Sequence, residues 1–231
     1  MHTTRPRTGT LNKDIRIPAG DVRLEGELSL PPGARGVVLF AHGSGSGRHS
    51  PRNQFVARSL QASGIGTLLF DLLTAQEEQI DLRTRRLRFD IDLLAQRLVH
   101  AIRWLDASAQ WIQDETGLLE LRPAFFGAST GGGAALVAAA ELGARIGAVV
   151  SRGGRPDLAG AALSKVEAPT LLIVGALDEV VIQLNEEAYA QLRCEKALKI
   201  VPGATHLFEE PGTLEQVAQL ASDWFVRHLQ Q

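Results

Sequence analysis

Only one cysteine, Cys194, occurs among the 231 residues. A single cysteine excludes an intrachain disulfide and any zinc site built from several cysteines. We assign no role to Cys194, because a cysteine between a predicted helix and a predicted strand is more often packed than reactive. The low cysteine content fits a reducing compartment, so we expect a cytoplasmic protein.

The sequence also lacks an excess of charge and long apolar runs. Its net charge is −2, from 24 Lys and Arg against 26 Asp and Glu, whereas nucleic acids and anionic membranes attract strongly basic surfaces. No apolar run is long enough to span a bilayer, and no signal-peptide stretch follows the basic residues near the N-terminus. We therefore expect a small-molecule partner, no nucleic acid and no membrane, and the oligomeric state stays open.

What is present is the composition of a globular protein, with 45% hydrophobic and 22% charged residues. The sequence contains no internal repeat and no low-complexity block. A chain of 231 residues can hold one α/β domain around one core. We therefore predict a single domain over residues 1–231.

The hydrophobic pattern changes along the chain. Alternating polar and apolar residues predict two strands of an antiparallel edge, over 14–17 and 22–30. Later, short continuous apolar runs alternate with helical spacing, which is typical of buried parallel strands; these runs are 37–41, 67–73, 124–129, 147–151, 170–176 and 198–201. The pattern predicts an α/β fold with a mostly parallel twisted sheet of about eight strands, covered by helices on both faces. Ligands of such sheets bind beyond the carboxyl ends of the strands.

Helix signals separate the apolar runs. Ser50 followed by Pro51 predicts a helix that ends near residue 63, before a glycine. A longer helix carries apolar residues on one face at 91, 94, 98, 102 and 105. Thr213 and Gln216 have the spacing of a capping box and predict the start of the last helix. Further helices are expected after Ser129, after residue 156 and after residue 182.

The motif that indicates chemistry is GASTG at 127–131, between a predicted strand and a predicted helix. In this G-x-S-x-G pattern the serine occupies a sharp turn, and the flanking glycines let strand and helix approach without a Cβ clash. The turn presents the Ser129 hydroxyl at the end of the sheet and places the backbone N–H of Thr130 beside it. The pentapeptide alone is a weak signal, since serine and glycine are common in loops.

A serine nucleophile needs a base and an acid that orients the base, in the chain order serine, acid, histidine for this type of turn. Asp178 follows the apolar run 170–176, and His206 follows the run 198–201. Glu179 is the alternative acid. The other histidines do not fit: three precede the serine at 2, 42 and 49, and those at 100 and 228 lie in predicted helices.

Together these motifs make the chain resemble the α/β-hydrolase superfamily, and within it the dienelactone-hydrolase-related branch without a cap domain. The segments that carry the resemblance are HGSGSG (42–47), GASTG (127–131), GALDEVV (175–181) and GATHLF (203–208). The resemblance implies that Ser129 is the nucleophile, Asp178 the orienting acid and His206 the general base. Dienelactone hydrolases proper carry cysteine at the elbow, so Ser129 implies a serine esterase instead. Some relatives are joined to a phosphoribosyltransferase-like domain, and we expect this chain to be the hydrolase domain alone.

The glycine-rich loop at 42–47 has two interpretations, a phosphate cradle or half of an oxyanion hole. A Walker loop or a dinucleotide fingerprint that begins at Gly43 requires another glycine where this chain has Arg48, so both phosphate motifs fail. By resemblance to HGx loops, the backbone N–H of Ser44 joins that of Thr130 in an oxyanion hole. His42 is expected to hold the loop in shape by hydrogen bonding.

The residues after the run 147–151 bear on the substrate. The connection 152–169 has room for one short helix, over about 157–165, so we expect an open pocket and a modest, partly polar substrate. Arg152 can bind a carboxylate or phosphate of the substrate, and a structural salt bridge or loop contact is the alternative role. The four arginines at 83, 85, 86 and 88 are interpreted as the solvated start of a helix.

The sequence therefore predicts a serine hydrolase of the carboxylic ester type. We expect it to cleave a small ester, lactone or thioester through an acyl-serine intermediate, without cofactor or metal. Two alternatives stay open: a non-catalytic binding or scaffold protein of the same fold, and an acyltransferase that uses the same residues. The physiological substrate and its leaving group are not determined by the sequence.

Overall fold

Eight strands form one sheet in the computed structural model, which describes residues 9–229. They are β1 (Leu11–Ala19), β2 (Val22–Leu30), β3 (Gly36–Ala41), β4 (Gly66–Phe70), β5 (Arg122–Ala128), β6 (Val149–Arg152), β7 (Thr170–Gly175) and β8 (Lys196–Val201). Their order in the sheet is β1-β2-β4-β3-β5-β6-β7-β8. The pairs β1–β2 and β2–β4 are antiparallel and all others are parallel. The predicted α/β sheet with an antiparallel edge is therefore confirmed.

The described part of the chain contains seven α-helices. They are α1 (Pro51–Ala62), α2 (Ala75–Thr84), α3 (Ile91–Ala107), α4 (Ala109–Thr116), α5 (Thr130–Leu142), α6 (Glu179–Gln191) and α7 (Thr213–Leu229). Three 3-10 segments, Leu87–Phe89, Gly143–Arg145 and Pro156–Lys165, complete the helical structure. None of the helices within residues 9–229 is both long enough and apolar enough to cross a membrane.

Helices cover both faces of the sheet because the central strands are apolar on both faces. Along β3, Val37 and Leu39 belong to the core under α3 and α5, whereas Val38 and Phe40 belong to the core under α1 and α7. Side chains alternate between faces in a strand, so a strand buried on both sides has a continuous apolar sequence. This is why the runs from residue 37 onward were recognisable as parallel strands.

Several predicted boundaries were wrong. β4 ends at Phe70, whereas the apolar run predicts a strand to residue 73. α6 begins at Glu179 rather than after residue 182. The last helix does begin at Thr213, as predicted, but the Thr213 hydroxyl donates to the carbonyl of Glu210 and does not cap α7, because Thr213 is already the first helical residue. The helix expected at 157–165 is a 3-10 segment interrupted at Gly160, whose φ is +49°.

Two helices, α2 and α4, were not predicted. Asp81 is the only buried residue of α2, so α2 has no apolar stripe for a pattern search to detect. The arginines at 83–88 therefore lie at the end of α2 and in the 3-10 turn before α3. They do not begin a helix, although the sequence predicts that they do.

No cap domain covers the carboxyl edge of the sheet in the described residues, as the sequence predicts. The connection from β6 to β7 contains only the 3-10 segment Pro156–Lys165. The turns after β3, β5, β7 and β8 all reach the same edge of the sheet. These turns carry Ser44, Ser129, Asp178 and His206, the site residues predicted from the sequence.

Candidate active site

Ser129 occupies a sharp turn between β5 and α5. Its backbone φ is +50° and ψ is −125°, which is a strained combination for a residue with a side chain. The turn is held by its own carbonyl, which accepts the N–H groups of Gly132 and Arg155, both at 3.0 Å. A Cβ at Gly131 would overlap the carbonyl oxygen of Ala41, so this position must be glycine for α5 to approach β3. The sequence thus places Ser129 on a strained turn at the end of β5.

Asp178 follows β7 and His206 follows β8, and their side chains are in contact at the carboxyl edge of the sheet. Oδ2 of Asp178 lies 2.6 Å from Nδ1 of His206. Asp178 is the residue before α6, yet its side chain makes no capping hydrogen bond and is bonded to His206 instead. A carboxylate on Nδ1 fixes the imidazole tautomer and leaves Nε2 available for proton transfer. Glu179 lies next in the chain as the first residue of α6.

The loop that carries His206 is braced from two sides. The N–H and the hydroxyl of Thr205 donate to the carboxylate of Glu210, at 3.1 and 2.5 Å. At the other side Gly153 has a φ of +50°, and a Cβ there would lie 3.0 Å from the carbonyl oxygen of His206. Phe208 is fully buried under the loop and has a φ of +56°. These contacts fix the position of the imidazole.

The glycine-rich loop after β3 packs directly against the turn at Ser129. A Cβ at Gly43 would lie 3.0 Å from the Cβ of Ser129, which is tighter than most Cβ contacts, so glycine at this position allows the close approach. One residue further, the hydroxyls of Ser44 and Thr130 are 3.4 Å apart. The structure therefore brings together Ser44 and Thr130, whose N–H groups are predicted to form an oxyanion hole.

His42 holds this loop against the end of β4. Its Nε2 accepts the N–H of Leu72 at 2.9 Å, so the proton is on Nδ1, which donates to the carbonyl of Gly43 at 3.0 Å. The side chain is buried, and burial lowers the pKa of His42 below its ordinary value. The imidazole is thus a neutral structural bridge.

Asp71 holds the far end of the same loop, and it is not among the site residues predicted from the sequence. Its carboxylate accepts the N–H of Arg48 at 2.8 Å and pairs with the Arg48 guanidinium. A Cβ at Gly47 would lie 2.8 Å from Asp71 Oδ1. An acidic residue directly after the apolar run of β4 was the available signal, since loops at this edge carry the polar groups of the site.

Arg152 lies at the end of β6, between the turn at Ser129 and the His206 loop. Its carbonyl accepts the N–H of Ser129 at 3.4 Å, and its guanidinium carbon is 5.7 Å from the centre of the Phe208 ring. The side chain is only 5% exposed, and its Nε has no hydrogen-bond partner in the described part of the chain. Burial, with the nearby charge of Arg52, lowers the pKa of Arg152 to about 10. Within residues 9–229, no carboxylate pairs with it.

A cavity of about 170 Å³ lies between the glycine-rich loop and α2. Ser44 and Thr130 line one side, and its apolar wall consists of Leu73, Leu82 and Leu94. Charged side chains complete the lining at 78, 81 and 88. The cavity thus begins at the candidate oxyanion hole and extends away from it.

An ion pair shapes the charged part of this cavity. Asp81 is buried and pairs with Arg88, and it also accepts the N–H groups of Leu87 and Arg88 at 2.7 and 3.2 Å. These bonds lower the pKa of Asp81 although burial opposes them. Burial and the charge of Asp71 raise the pKa of Glu78, which lies on the same lining.

Comparison with known proteins agrees with this architecture. A family model described as an alpha/beta hydrolase domain matches residues 34–226. Two curated proteins of Mycobacterium tuberculosis, from strains H37Rv and CDC 1551 / Oshkosh, are 55% identical over 218 residues and are provisionally named phosphoribosyl transferases. The matches cover 94% of this chain but 47% of each relative. This chain therefore spans about half the length of the curated relatives it matches.

Solved structures are also similar. A dienelactone hydrolase from Anabaena variabilis is 57% identical with a TM-score of 0.87, covering 95% of this chain and 99% of that chain. Est1E from Butyrivibrio proteoclasticus is 15% identical with a TM-score of 0.72, over 94% and 99% of the two chains. A dienelactone hydrolase-like promiscuous phosphotriesterase from metagenomic libraries is 19% identical with a TM-score of 0.73, over 95% and 99%. The last two share only the fold with this chain.

Proposed function

Because this chain belongs to the α/β-hydrolase family, we propose that it is a serine hydrolase that cleaves a small ester, lactone or thioester. The observation that carries the proposal is the 2.6 Å contact between Asp178 and His206. It lies at the same edge of the sheet as Ser129, which occupies a strained turn between β5 and α5. The name of the Anabaena relative, a dienelactone hydrolase, supports a lactone or ester as substrate.

The first half of the proposed reaction transfers the acyl group to Ser129. Ser129 Oγ attacks the carbonyl carbon while His206 Nε2 accepts the hydroxyl proton, and the carbonyl becomes a tetrahedral oxyanion. The bond to the leaving oxygen or sulfur then breaks, and the leaving group takes the proton from Nε2. The Asp178 carboxylate stabilises the imidazolium that exists between these two transfers.

Water completes the reaction. His206 Nε2 accepts a proton from water as its oxygen attacks the acyl carbon, and a second tetrahedral oxyanion forms. The bond from the acyl carbon to Ser129 Oγ breaks, Oγ regains the proton from Nε2, and the acid is released. In both halves the N–H groups of Ser44 and Thr130 donate to the oxyanion, and a donor of this kind is worth about 3 kcal/mol.

Labelling with an organophosphonate probe tests the nucleophile. The wild-type protein should form a covalent adduct on the peptide that contains Ser129, and it should hydrolyse a panel of short-chain esters. Ser129→Ala should do neither, although its urea unfolding curve should match that of the wild type. Turnover at the wild-type rate in Ser129→Ala would contradict the proposal, and a wild-type protein without adduct or turnover would favour the scaffold alternative.

Acyl transfer to an acceptor other than water is the second candidate, because it uses the same three side chains. The provisional name of the Mycobacterium relatives mentions a transferase, but that name describes a protein about twice as long as the matched region. Adding simple alcohols to the ester assay separates the two activities. A new ester as the main product would indicate acyl transfer, and free acid would indicate hydrolysis.

We also propose a cytoplasmic location and a small-molecule substrate. The single cysteine supports a reducing compartment, and the cavity of about 170 Å³ has the size of a small acyl group. Fractionation of the source cells with an antibody to the chain tests the location. Recovery in an extracellular fraction would contradict it.

A further inference from the structure

We propose that the cavity beside the glycine-rich loop is the acyl pocket and selects neutral acyl groups of up to about six carbons. This inference rests on the proposed function, because it assigns a part of the substrate to a place beside Ser129. Three observations carry it: the side of the site on which the cavity opens, its volume, and the charges on its lining.

The position of the cavity separates the acyl group from the leaving group. Its lining includes Ser44 and Thr130, the neighbour of Ser129, whereas Ser129, His206 and Asp178 are not part of it. The leaving group must lie next to His206, because Nε2 gives it a proton. With the carbonyl oxygen directed at the N–H groups of Ser44 and Thr130, the remaining substituent of the carbonyl carbon extends into the cavity. That substituent is the acyl chain.

The volume sets the length of the chain. The cavity measures about 170 Å³, and an apolar protein cavity of about 150 Å³ holds a benzene molecule. A tail of about six carbons therefore fills it. Leu73 and Leu94 are buried and form the inner wall, whereas Leu82 is 65% exposed and lies at the mouth. A longer chain has to pass Leu82 and run over the surface of α2.

The outer wall, α2, is held mainly by polar contacts. Glu77 pairs with buried Arg97 at 2.6 Å, and Thr74 and Glu77 form a capping box. Asp81 is the only buried residue of the helix, and Ile80 is 56% exposed. Replacing Leu82 therefore changes the mouth of the cavity without removing a residue of the core.

The charges on the lining favour a neutral acyl group. Arg88 is paired with Asp81, so these two charges offset each other. Glu78 lies on the same lining and forms no ion pair within the described residues. Arg48 and Arg88 act on Glu78 from a distance, but burial and the charge of Asp71 outweigh them. An acyl chain that ends in a carboxylate would meet the negative charge of Glu78, whereas a neutral chain would not.

A series of p-nitrophenyl esters from acetate to decanoate tests the length limit. We expect kcat/KM to rise to a maximum near hexanoate and to fall about tenfold by decanoate, because the longer chain leaves the cavity. Leu82→Trp should lower kcat/KM for hexanoate about tenfold and change the acetate value less than about twofold. Leu119→Trp is the matched control, since Leu119 is 82% exposed and precedes β5 at the opposite end of the sheet.

A second series keeps the acyl group constant as acetate and lengthens the alcohol. For these esters, kcat/KM of Leu82→Trp should equal that of Leu119→Trp. If the alcohol series loses activity and the acyl series does not, the cavity holds the leaving group and the proposal is wrong. An acyl series with no optimum, or one that Leu82→Trp does not alter, also overturns it.

The charge preference is tested with two substrates of equal length, p-nitrophenyl hexanoate and the p-nitrophenyl monoester of adipate. The wild type should prefer the neutral ester, and Glu78→Gln should reduce that preference about fivefold or more. Glu215→Gln, an exposed change on α7 at the other face of the sheet, should not. A preference for the adipate ester would overturn the assignment.

Labelling of Ser129 distinguishes failure of this inference from failure of the proposed function. If the organophosphonate probe labels Ser129 and the esters are hydrolysed without any length or charge preference, only the acyl-pocket assignment is wrong. If the probe does not label Ser129 and no ester is hydrolysed, both proposals are wrong.

Discussion

The guanidinium of Arg152 lies against the ring of Phe208, 5.7 Å from its centre, beneath the loop that carries His206. A buried cation without a carboxylate partner is costly, and a contact with an aromatic face offsets part of that cost. The backbone of Arg152 also accepts the N–H of Ser129. Arg152 therefore connects the turn of the nucleophile with the loop of the base, and this geometry favours a positioning role over the substrate-binding role considered from the sequence.

Replacing Arg152 should accordingly affect all substrates alike. We expect Arg152→Met to lower kcat about tenfold for neutral and anionic esters, with KM nearly unchanged, because a small displacement of His206 slows proton transfer. Arg152→Lys should recover most of the loss, since it restores the cation over Phe208. The pH dependence of kcat should shift in Arg152→Met and return in Arg152→Lys. A loss confined to anionic esters would instead support substrate binding by Arg152.

Asp178 and Glu179 offer a matched pair of substitutions. Asp178→Asn should lower kcat about ten-thousand-fold, because an amide at this position stabilises the wrong imidazole tautomer of His206. Glu179→Gln should retain nearly full activity, since the carboxylate that contacts His206 is that of Asp178. Steady-state kinetics of both variants at the same pH measure the difference. Comparable losses in the two variants would show that the orienting acid has been misassigned.

The central part of the fold could be predicted from the sequence because of how its strands are buried. The parallel strands are buried on both faces and appear as continuous apolar runs, and each polar residue that ends such a run lies at the same edge of the sheet. Order along the chain then selected Asp178 and His206. The strained turn at Ser129 was visible because its glycines leave no room for side chains.

The wall of the cavity was beyond prediction from the sequence. Because α2 buries only Asp81, its sequence has no apolar period, and its arginines looked like a solvated helix start. The ion pair of Asp81 with Arg88 and that of Arg48 with Asp71 depend on where loops cross in space. Val180 in the first turn of α6 is apolar but 72% exposed, so the apolar residues at the start of that helix do not follow its buried face.

Gly131 should tolerate no side chain. A Cβ there would overlap the carbonyl of Ala41, so Gly131→Ala must push α5 away from β3 or distort the turn at Ser129. We expect the free energy of unfolding to fall by about 3 kcal/mol or more. Gly9→Ala is the control, because nothing lies within 4 Å of a Cβ at Gly9. Urea unfolding of both variants gives the comparison, and equal stabilities would contradict the packing described for α5.

His42 should make the protein less stable in acid. Burial keeps the pKa of His42 in the folded state below its ordinary value of 6.5, and its Nε2 must stay unprotonated to accept the N–H of Leu72. As the pH falls below 6.5, the unfolded chain takes up a proton at this site that the folded chain does not. The free energy of unfolding therefore decreases with falling pH until His42 is protonated in the folded state too.

His42→Gln isolates this contribution, because glutamine has a donor and an acceptor but does not titrate. His100 and His228 also have lowered pKa values and contribute in the same direction, so the comparison is between variant and wild type. The variant should show a smaller loss of unfolding free energy between neutral and mildly acidic pH, measured by urea unfolding. If the unfolding free energy had the same pH dependence in the two proteins, protonation of His42 would not contribute to acid destabilisation and the prediction would be wrong.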